Sequence, residues 1–145
     1  MRTALRRAIL TVTVAAVLVV GPAAWAQDET ETFGFTIDAA RLGADRHTVV
    51  VSGSYTCGPF DTTGAGFVDL SVVQERATGF GSVPIELCDG SAQAYQAELV
   101  SNSDRRFKRG AARATASGYV EGVRGDLRFL QTTRVHNQRI TIKHR

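Results

Sequence analysis

The chain has 145 residues, of which 17 are Lys or Arg and 14 are Asp or Glu, and its formal net charge is +3. Three of the basic residues, Arg2, Arg6 and Arg7, lie near the N-terminus, so the rest of the chain is close to neutral and its charge is not a nucleic-acid signature. Two cysteines and three histidines in separate segments do not have the spacing of a zinc site.

The first 26 residues predict a cleavable signal peptide. The arginines precede an uncharged run, Ala8–Val20, which would form a helix of roughly 20 Å, shorter than the ~30 Å hydrocarbon core of a membrane. Pro22 ends that helix, and Ala24-Trp25-Ala26 fits the small-x-small cleavage pattern. An uncleaved anchor is the alternative, and the Arg6-Arg7 pair leaves the twin-arginine export route open. We expect a secreted mature protein of residues 27–145 with no membrane span.

The sequence of the mature chain predicts one all-β domain. Residues 27–32 predict a flexible acidic arm, and residues 33–145 alternate apolar and polar side chains with the period of a half-buried strand. Seven to eight short strands predict an antiparallel β-sandwich, and a small barrel is the alternative. The predicted inward-facing residues are, in chain order, Phe33, Phe35, Ile37, Val49, Val51, Tyr55, Cys57, Val68, Leu70, Val72, Val83, Ile85, Leu87, Tyr95, Ala97, Leu99, Ala112, Ala114, Ala116, Val120, Leu127, Phe129, Ile140 and Ile142.

Turn-forming stretches separate these strands. Gly58-Pro59 and Thr62–Gly66 lie between the second and third strands, and Gly79–Gly81 precedes the fourth. Asp89-Gly90, a favoured tight-turn pair, follows the fourth strand. Cys88 is out of phase with the apolar residues before it, so a bulge or strand end must precede it if its sulfur faces the core.

Cys57 and Cys88 are the two cysteines of the chain. In an exported protein such a pair predicts one intrachain disulfide. A metal site would need further soft ligands nearby, and a redox pair would have Cys-x-x-Cys spacing. We therefore expect a structural bridge between these two residues.

Four short motifs occur in order along the chain: Ser52-Gly53-Ser54-Tyr55-Thr56-Cys57, Val72-Val73-Gln74, Cys88-Asp89-Gly90, and Phe107 with Gly110-Ala111-Ala112. With these motifs, the stretch from Phe33 to Val120 resembles a group of uncharacterised small secreted proteins of high-GC Gram-positive bacteria. The resemblance implies export, an immunoglobulin-like β-sandwich and one disulfide, and it implies no activity. Tyr95 stands where those proteins commonly have a Trp.

A basic cluster surrounds Phe107 and consists of Arg105, Arg106, Lys108, Arg109 and Arg113. Four cations within five residues are a candidate site for phosphates, an anionic cell-wall polymer or a sulfated glycan. The alternative is a solvated loop without a ligand. In either case we expect the four cations to be exposed to water and Phe107 to pack on the core. Charge is also segregated along the chain: residues 27–104 contain 12 acidic and 3 basic residues, and residues 105–145 contain 11 basic and 2 acidic ones. The two halves can therefore neutralise each other in the fold.

No motif in the sequence predicts catalysis, a cofactor, a nucleotide or a metal. His47, His136 and His144 lie in separate segments without metal-ligand spacing. No serine stands in a Gly-x-Ser-x-Gly elbow, and the glycine pairs lack the strand-to-helix context of a nucleotide loop.

We expect a secreted, non-catalytic protein that binds an extracellular or envelope-associated ligand, either an anionic cell-wall polymer or an extracellular protein. Two alternatives stay open. A secreted protease inhibitor would present an extended loop over Pro59–Gly66, beside the disulfide. A small hydrolase would have a pocket with perturbed carboxylates or a buried His. A basic stripe or exposed aromatic residues on a sheet face would favour binding.

The exported protein should begin at Gln27, because Ala24 and Ala26 occupy the positions that signal peptidase reads. Intact mass spectrometry of the protein from the culture medium measures this directly. A species that retains residues 1–26 in a detergent-soluble fraction would contradict the expectation.

Overall fold

The computed structural model describes residues 29–144, and these form nine β-strands and no helix. Their bounds are β1 (Glu29–Thr32), β2 (Gly34–Phe35), β3 (Ala39–Leu42), β4 (Thr48–Thr56), β5 (Thr62–Gln74), β6 (Ala77–Pro84), β7 (Ala92–Ser101), β8 (Gly110–Arg124) and β9 (Leu127–Lys143). The predicted all-β class is confirmed. Within this range no helix has the length and apolarity to cross a membrane. The predicted signal peptide, residues 1–26, lies outside the described residues.

Seven strands close into a mixed barrel in the order β9-β3-β4-β7-β6-β5-β8, and β8 pairs back onto β9. Strand β3 runs parallel to β9, and the other neighbours in the ring are antiparallel. Two of the strand pairings in the ring are short, and we call them the two seams. Strand β6 pairs with β7 only at Gly79 and Phe80, and β3 pairs with β9 only at Ala40 and Arg41. The architecture is therefore the barrel that the sequence left as the alternative, and a sandwich of two separate sheets is not confirmed.

The predicted acidic arm differs from the structure, because its residues 29–32 form strand β1. This strand lies parallel to Phe129–Thr132 of β9, outside the closed ring. The buried side chain of Gln131 donates through Nε2 to a Glu31 carboxylate oxygen at 2.7 Å. Its Oε1 accepts from the Gly58 N–H at 2.8 Å. The arm is thus fixed by contacts with residues about a hundred positions away, which local composition does not reveal.

Two predicted turns are wrong, because both stretches lie inside strands. Thr62–Gly66 begins β5, with a register shift against β8, and Gly79–Gly81 lies within β6. The turn before the fourth predicted strand is instead Glu75-Arg76. A Cβ atom at Gly79 would lie 2.9 Å from the ring of Phe107. The glycine therefore lets the Phe107 ring approach the backbone of β6 closely. Glycine occurs both in turns and at such close contacts within strands, and sequence alone does not distinguish the two.

The predicted inward-facing residues are buried, apart from Leu87 and Leu127, which are 48% and 45% exposed. Strand β6 ends at Pro84, so the alternation does not continue to Leu87. The backbone then turns Cys88 inward, and its side chain is 1% exposed. The sequence predicted a bulge or strand end before Cys88, and the end of β6 at Pro84 confirms it. The C-terminal stretch forms one long strand rather than two.

Cys57 and Cys88 are joined by the predicted disulfide, with their Cα atoms 4.8 Å apart. Both cysteines are buried. Two backbone bonds accompany the bridge: the Phe60 N–H donates to the Cys88 carbonyl at 2.8 Å, and the Gly90 N–H donates to the Cys57 carbonyl at 2.9 Å. A buried disulfide is typical of proteins from oxidising compartments.

Most connections between strands lie at the two ends of the barrel, whereas residues 36–38 run beside β4. We call one the Phe107 end; it consists of residues 43–47, 75–76, 102–109 and 143–144. We call the other the disulfide end; it consists of residues 57–61, 85–91 and 125–126. This division positions the candidate site, because the predicted basic cluster and the disulfide lie at opposite ends.

Reduction of the Cys57–Cys88 bridge should lower the free energy of unfolding by about 3.5–4 kcal/mol, because the bridge closes a loop of about 32 residues in the unfolded chain. Urea denaturation with and without reductant measures the change. The double variant Cys57→Ser/Cys88→Ser is the control and should match the reduced protein. A loss below about 1 kcal/mol would show that the barrel holds its stability without the bridge.

Candidate functional site

The basic cluster begins in the loop between β7 and β8, at the Phe107 end. The side chains of Arg105, Arg106, Lys108 and Arg109 are exposed, whereas Phe107 between them is completely buried. The exposed cations keep their hydration and avoid the cost of burying a charge. The ring of Phe107 instead contributes the apolar burial that attaches the loop to the barrel.

Hydrogen bonds hold the backbone of this loop on three sides. The buried Gln74 side chain accepts from the Lys108 N–H at 2.7 Å and donates to the Lys108 and Ala111 carbonyls at 2.9 and 3.2 Å. The Ser101 hydroxyl donates to the Arg105 carbonyl at 3.1 Å. The Phe107 N–H donates to the carbonyl of Arg46, in the loop between β3 and β4, at 2.8 Å. The cations are thus carried by a fixed backbone, which reduces the entropy lost on binding a ligand.

A groove of about 530 Å³ lies where the two loops and the C-terminal segment meet. Three of its lining residues are Arg or Lys, and no carboxylate among the described residues lines it. We call it the basic groove. Its lining consists of Leu42, Gly43, Ala44, Arg46, Phe107, Lys108, Arg109 and His144. Cations that converge on a concave surface produce a positive potential there, and the complementary ligand is an anion.

Arg46 is the residue of the groove that sequence reasoning missed. It lies about sixty positions before the basic cluster, and its carbonyl bonds to Phe107. Its φ is 60°, a left-handed conformation that is uncommon for a residue other than glycine. The neighbouring Asp45 carboxylate is turned towards the backbone, where it accepts from the N–H groups of His47 and Thr48 at 2.9 and 3.1 Å. The turn therefore places Arg46 at the groove and directs the Asp45 carboxylate towards the start of β4.

The structure divides the predicted anion-binding residues among three places. Lys108 and Arg109 line the basic groove. Arg105 and Arg106 line a second depression, which we call the mixed groove. It also contains Lys108, whose Nζ lies 3.7 Å from a Glu75 carboxylate oxygen. The mixed groove is lined by Gln74, Glu75, Arg76, Ala77, Asp104, Arg105, Arg106 and Lys108.

Arg113 is separate from both grooves. It lies on the outer wall of the barrel, directly opposite Arg139 of β9 in the strand register. Its guanidinium donates to the Asn137 carbonyl at 3.4 Å. Two like charges at paired positions repel each other, and this pair gives the outer wall beside the Phe107 end further positive charge.

The loop beside the disulfide lies against the barrel and does not project from it. The Pro59 carbonyl accepts from Nε of Arg124 at 2.9 Å, and the Asp61 N–H donates to the Val123 carbonyl at 2.7 Å. The Arg124 guanidinium lies over the ring of Phe129, 4.5 Å from its centroid. A protease inhibitor needs an extended, convex loop, and this geometry does not provide one at Pro59–Asp61.

Two titratable groups with a shifted pKa lie away from the basic groove. Burial raises the pKa of Tyr95 well above its usual range, and its hydroxyl donates to the Thr36 carbonyl at 2.7 Å. Hydrogen bonds from the Ser91 hydroxyl and backbone lower the pKa of the exposed Asp89. Within residues 29–144, no group of three or more His, Cys, Asp or Glu residues is placed to hold a metal ion.

Comparisons with models of protein families, with curated proteins and with solved structures give no match to this chain. The fold and the site define a disulfide-bridged β-barrel protein with a basic groove at one end. Its function must therefore be inferred from the geometry of that groove.

Phe107→Ala should destabilise the protein by about 3–5 kcal/mol, because it removes a fully buried ring and leaves a cavity beside Gly79. Phe80→Ala is the matched control: Phe80 is 53% exposed on the barrel wall, so the expected cost is below about 1 kcal/mol. Urea denaturation of the two variants measures both values. Equal costs would contradict the role of Phe107 as the anchor of the loop.

Proposed function

We propose that this chain is a secreted, non-catalytic protein that binds an anionic extracellular or cell-envelope polymer in the basic groove. The observation that carries the proposal is that Arg46 and Arg109, together with Lys108, line one groove that no described carboxylate lines. The Lys108 ammonium lies at the side of the mixed groove, 3.7 Å from Glu75. Three features support the extracellular location: the predicted N-terminal export signal, the resemblance to secreted proteins and the buried disulfide.

The proposed ligand is a polymer because the cations are exposed. A single contact between exposed charges contributes only about 0–1 kcal/mol in water, which is too little to hold one small anion. A polymer with repeated anionic groups makes several such contacts at once. When one contact breaks, the others keep the ligand close to the protein. Phosphate and sulfate groups fit best, because an arginine guanidinium can donate two parallel hydrogen bonds to them.

The resemblance to secreted immunoglobulin-like proteins of high-GC Gram-positive bacteria is part of the proposal. The two short seams of the barrel support it, because they separate strands β3, β4 and β7 from strands β6, β5, β8 and β9. Two such layers, joined along their edges, correspond to a sandwich that has closed. The proposed activity does not depend on this relationship.

Arg46→Asn/Arg109→Ser should weaken binding to heparin or to an isolated anionic wall polymer about tenfold, because two exposed charge contacts are lost. Asn is chosen at position 46 because it tolerates the left-handed backbone. The matched control is Arg105→Ser/Arg106→Ser, which removes the same charge from the mixed groove. Its binding should change less. Affinity chromatography with a salt gradient, followed by calorimetry, measures both variants.

The affinity of the wild-type protein for heparin should fall steeply as salt is added, because salt screens interactions between exposed charges over about 10 Å at 0.1 M. Equal losses in the two double variants would mean that net charge, and not the basic groove, determines binding. Passage of the unvaried protein through a heparin column at low salt, without retention by wall polymer, would refute the proposed function.

A further inference from the structure

The two ends of the barrel carry opposite charge. The Phe107 end contains seven Lys or Arg residues and three Asp or Glu residues, a balance of +4. The disulfide end contains four Asp or Glu residues and no Lys or Arg, a balance of −4. The acidic residues of that end are Asp61, Glu86, Asp89 and Asp126, and all four are exposed. Flanking charges on the strands, Arg124 and Arg128 against Glu31 and Glu121, leave this balance unchanged.

Each end also has apolar surface. Leu87 lies between Glu86 and Cys88 at the disulfide end and is 48% exposed; Leu127, next to Asp126, is 45% exposed. At the opposite end, the basic groove is lined by Leu42 and Ala44 beside its cations. Each end therefore combines charge with apolar surface, and the two ends are complementary in both respects.

We propose that copies of this chain associate head to tail, with the disulfide end of one copy docked on the basic groove of the next. Glu86 and Asp126 face Arg46 and Arg109 across the contact, and Leu87 covers the apolar lining of the groove. The contact joins two different surfaces, so each copy keeps one end unoccupied and can bind another copy. Such heterologous contacts form rings or open chains, depending on the rotation between copies.

Polymer binding and self-association use the same groove, so each excludes the other. An anionic polymer should therefore dissociate the assembly. The proposal goes beyond the proposed function and does not require it, because the disulfide end takes no part in polymer binding. Changes confined to that end distinguish the two.

Sedimentation velocity of the purified mature protein should show assemblies that grow with protein concentration at low salt and dissociate above about 0.5 M salt. Glu86→Lys/Asp126→Lys should sediment as a monomer while it keeps its affinity for heparin. Neither side chain makes a hydrogen bond or ion pair within residues 29–144, so the fold should be unaffected. The matched control Asp69→Lys/Glu98→Lys makes the same charge change on the barrel wall, at two exposed strand positions, and should still associate.

A charge exchange gives the strongest test. Arg46→Asp/Arg109→Glu should also sediment as a monomer alone, because positions 46 and 109 of its groove then carry the same negative charge as Glu86 and Asp126. Mixed with Glu86→Lys/Asp126→Lys, it should form alternating assemblies, since every contact again joins opposite charges. A monomeric unvaried protein at all concentrations and low salt would overturn the proposal. So would loss of association in the barrel-wall control, or a mixture that stays monomeric.

Discussion

The burial of the Phe107 ring holds the Phe107 end of this protein together. The ring lies inside the barrel while its neighbours Arg106 and Lys108 stay in water. Gly79 leaves the space that the ring occupies, and the Phe107 N–H fixes the loop to Arg46. A loop with four cations in five residues would repel itself and sample many conformations. One buried aromatic residue and a buried glutamine convert it into the fixed wall of a groove.

The charge at this end opposes stability. Arg46 and Arg109 line the basic groove without a carboxylate among the described lining residues, and Arg113 lies opposite Arg139 on the wall. Like charges at such positions destabilise the folded state by a few tenths of a kcal/mol each. Core packing and the disulfide offset this cost, and an anionic ligand would remove it. Clustered like charges lower the stability of the folded protein, so their presence is a reason to look for a binding partner.

The closure of the barrel depends on two narrow seams. The pairings β6–β7 and β3–β9 consist of two residue pairs each, whereas β8 and β9 pair along almost their whole lengths. Apolar alternation requires only that one face of each strand be buried, and both a sandwich and a barrel satisfy it. Whether the strands form a sandwich or a barrel depends on a few backbone hydrogen bonds at the strand edges. The pattern of apolar and polar side chains does not reveal these bonds.

The sequence by itself determined the features that depend on local chemistry. Alternation located the strands and most of the core. Two cysteines after a predicted export signal predicted their bridge, and four cations around Phe107 predicted an exposed loop with a buried ring. The tertiary structure decided what depends on distant pairing. It placed Gly79–Gly81 inside a strand, joined residues 29–32 to β9, closed the barrel, and brought Arg46 and His144 to Lys108 and Arg109. Long-range register is set by the packing of the whole chain, so no local window contains it.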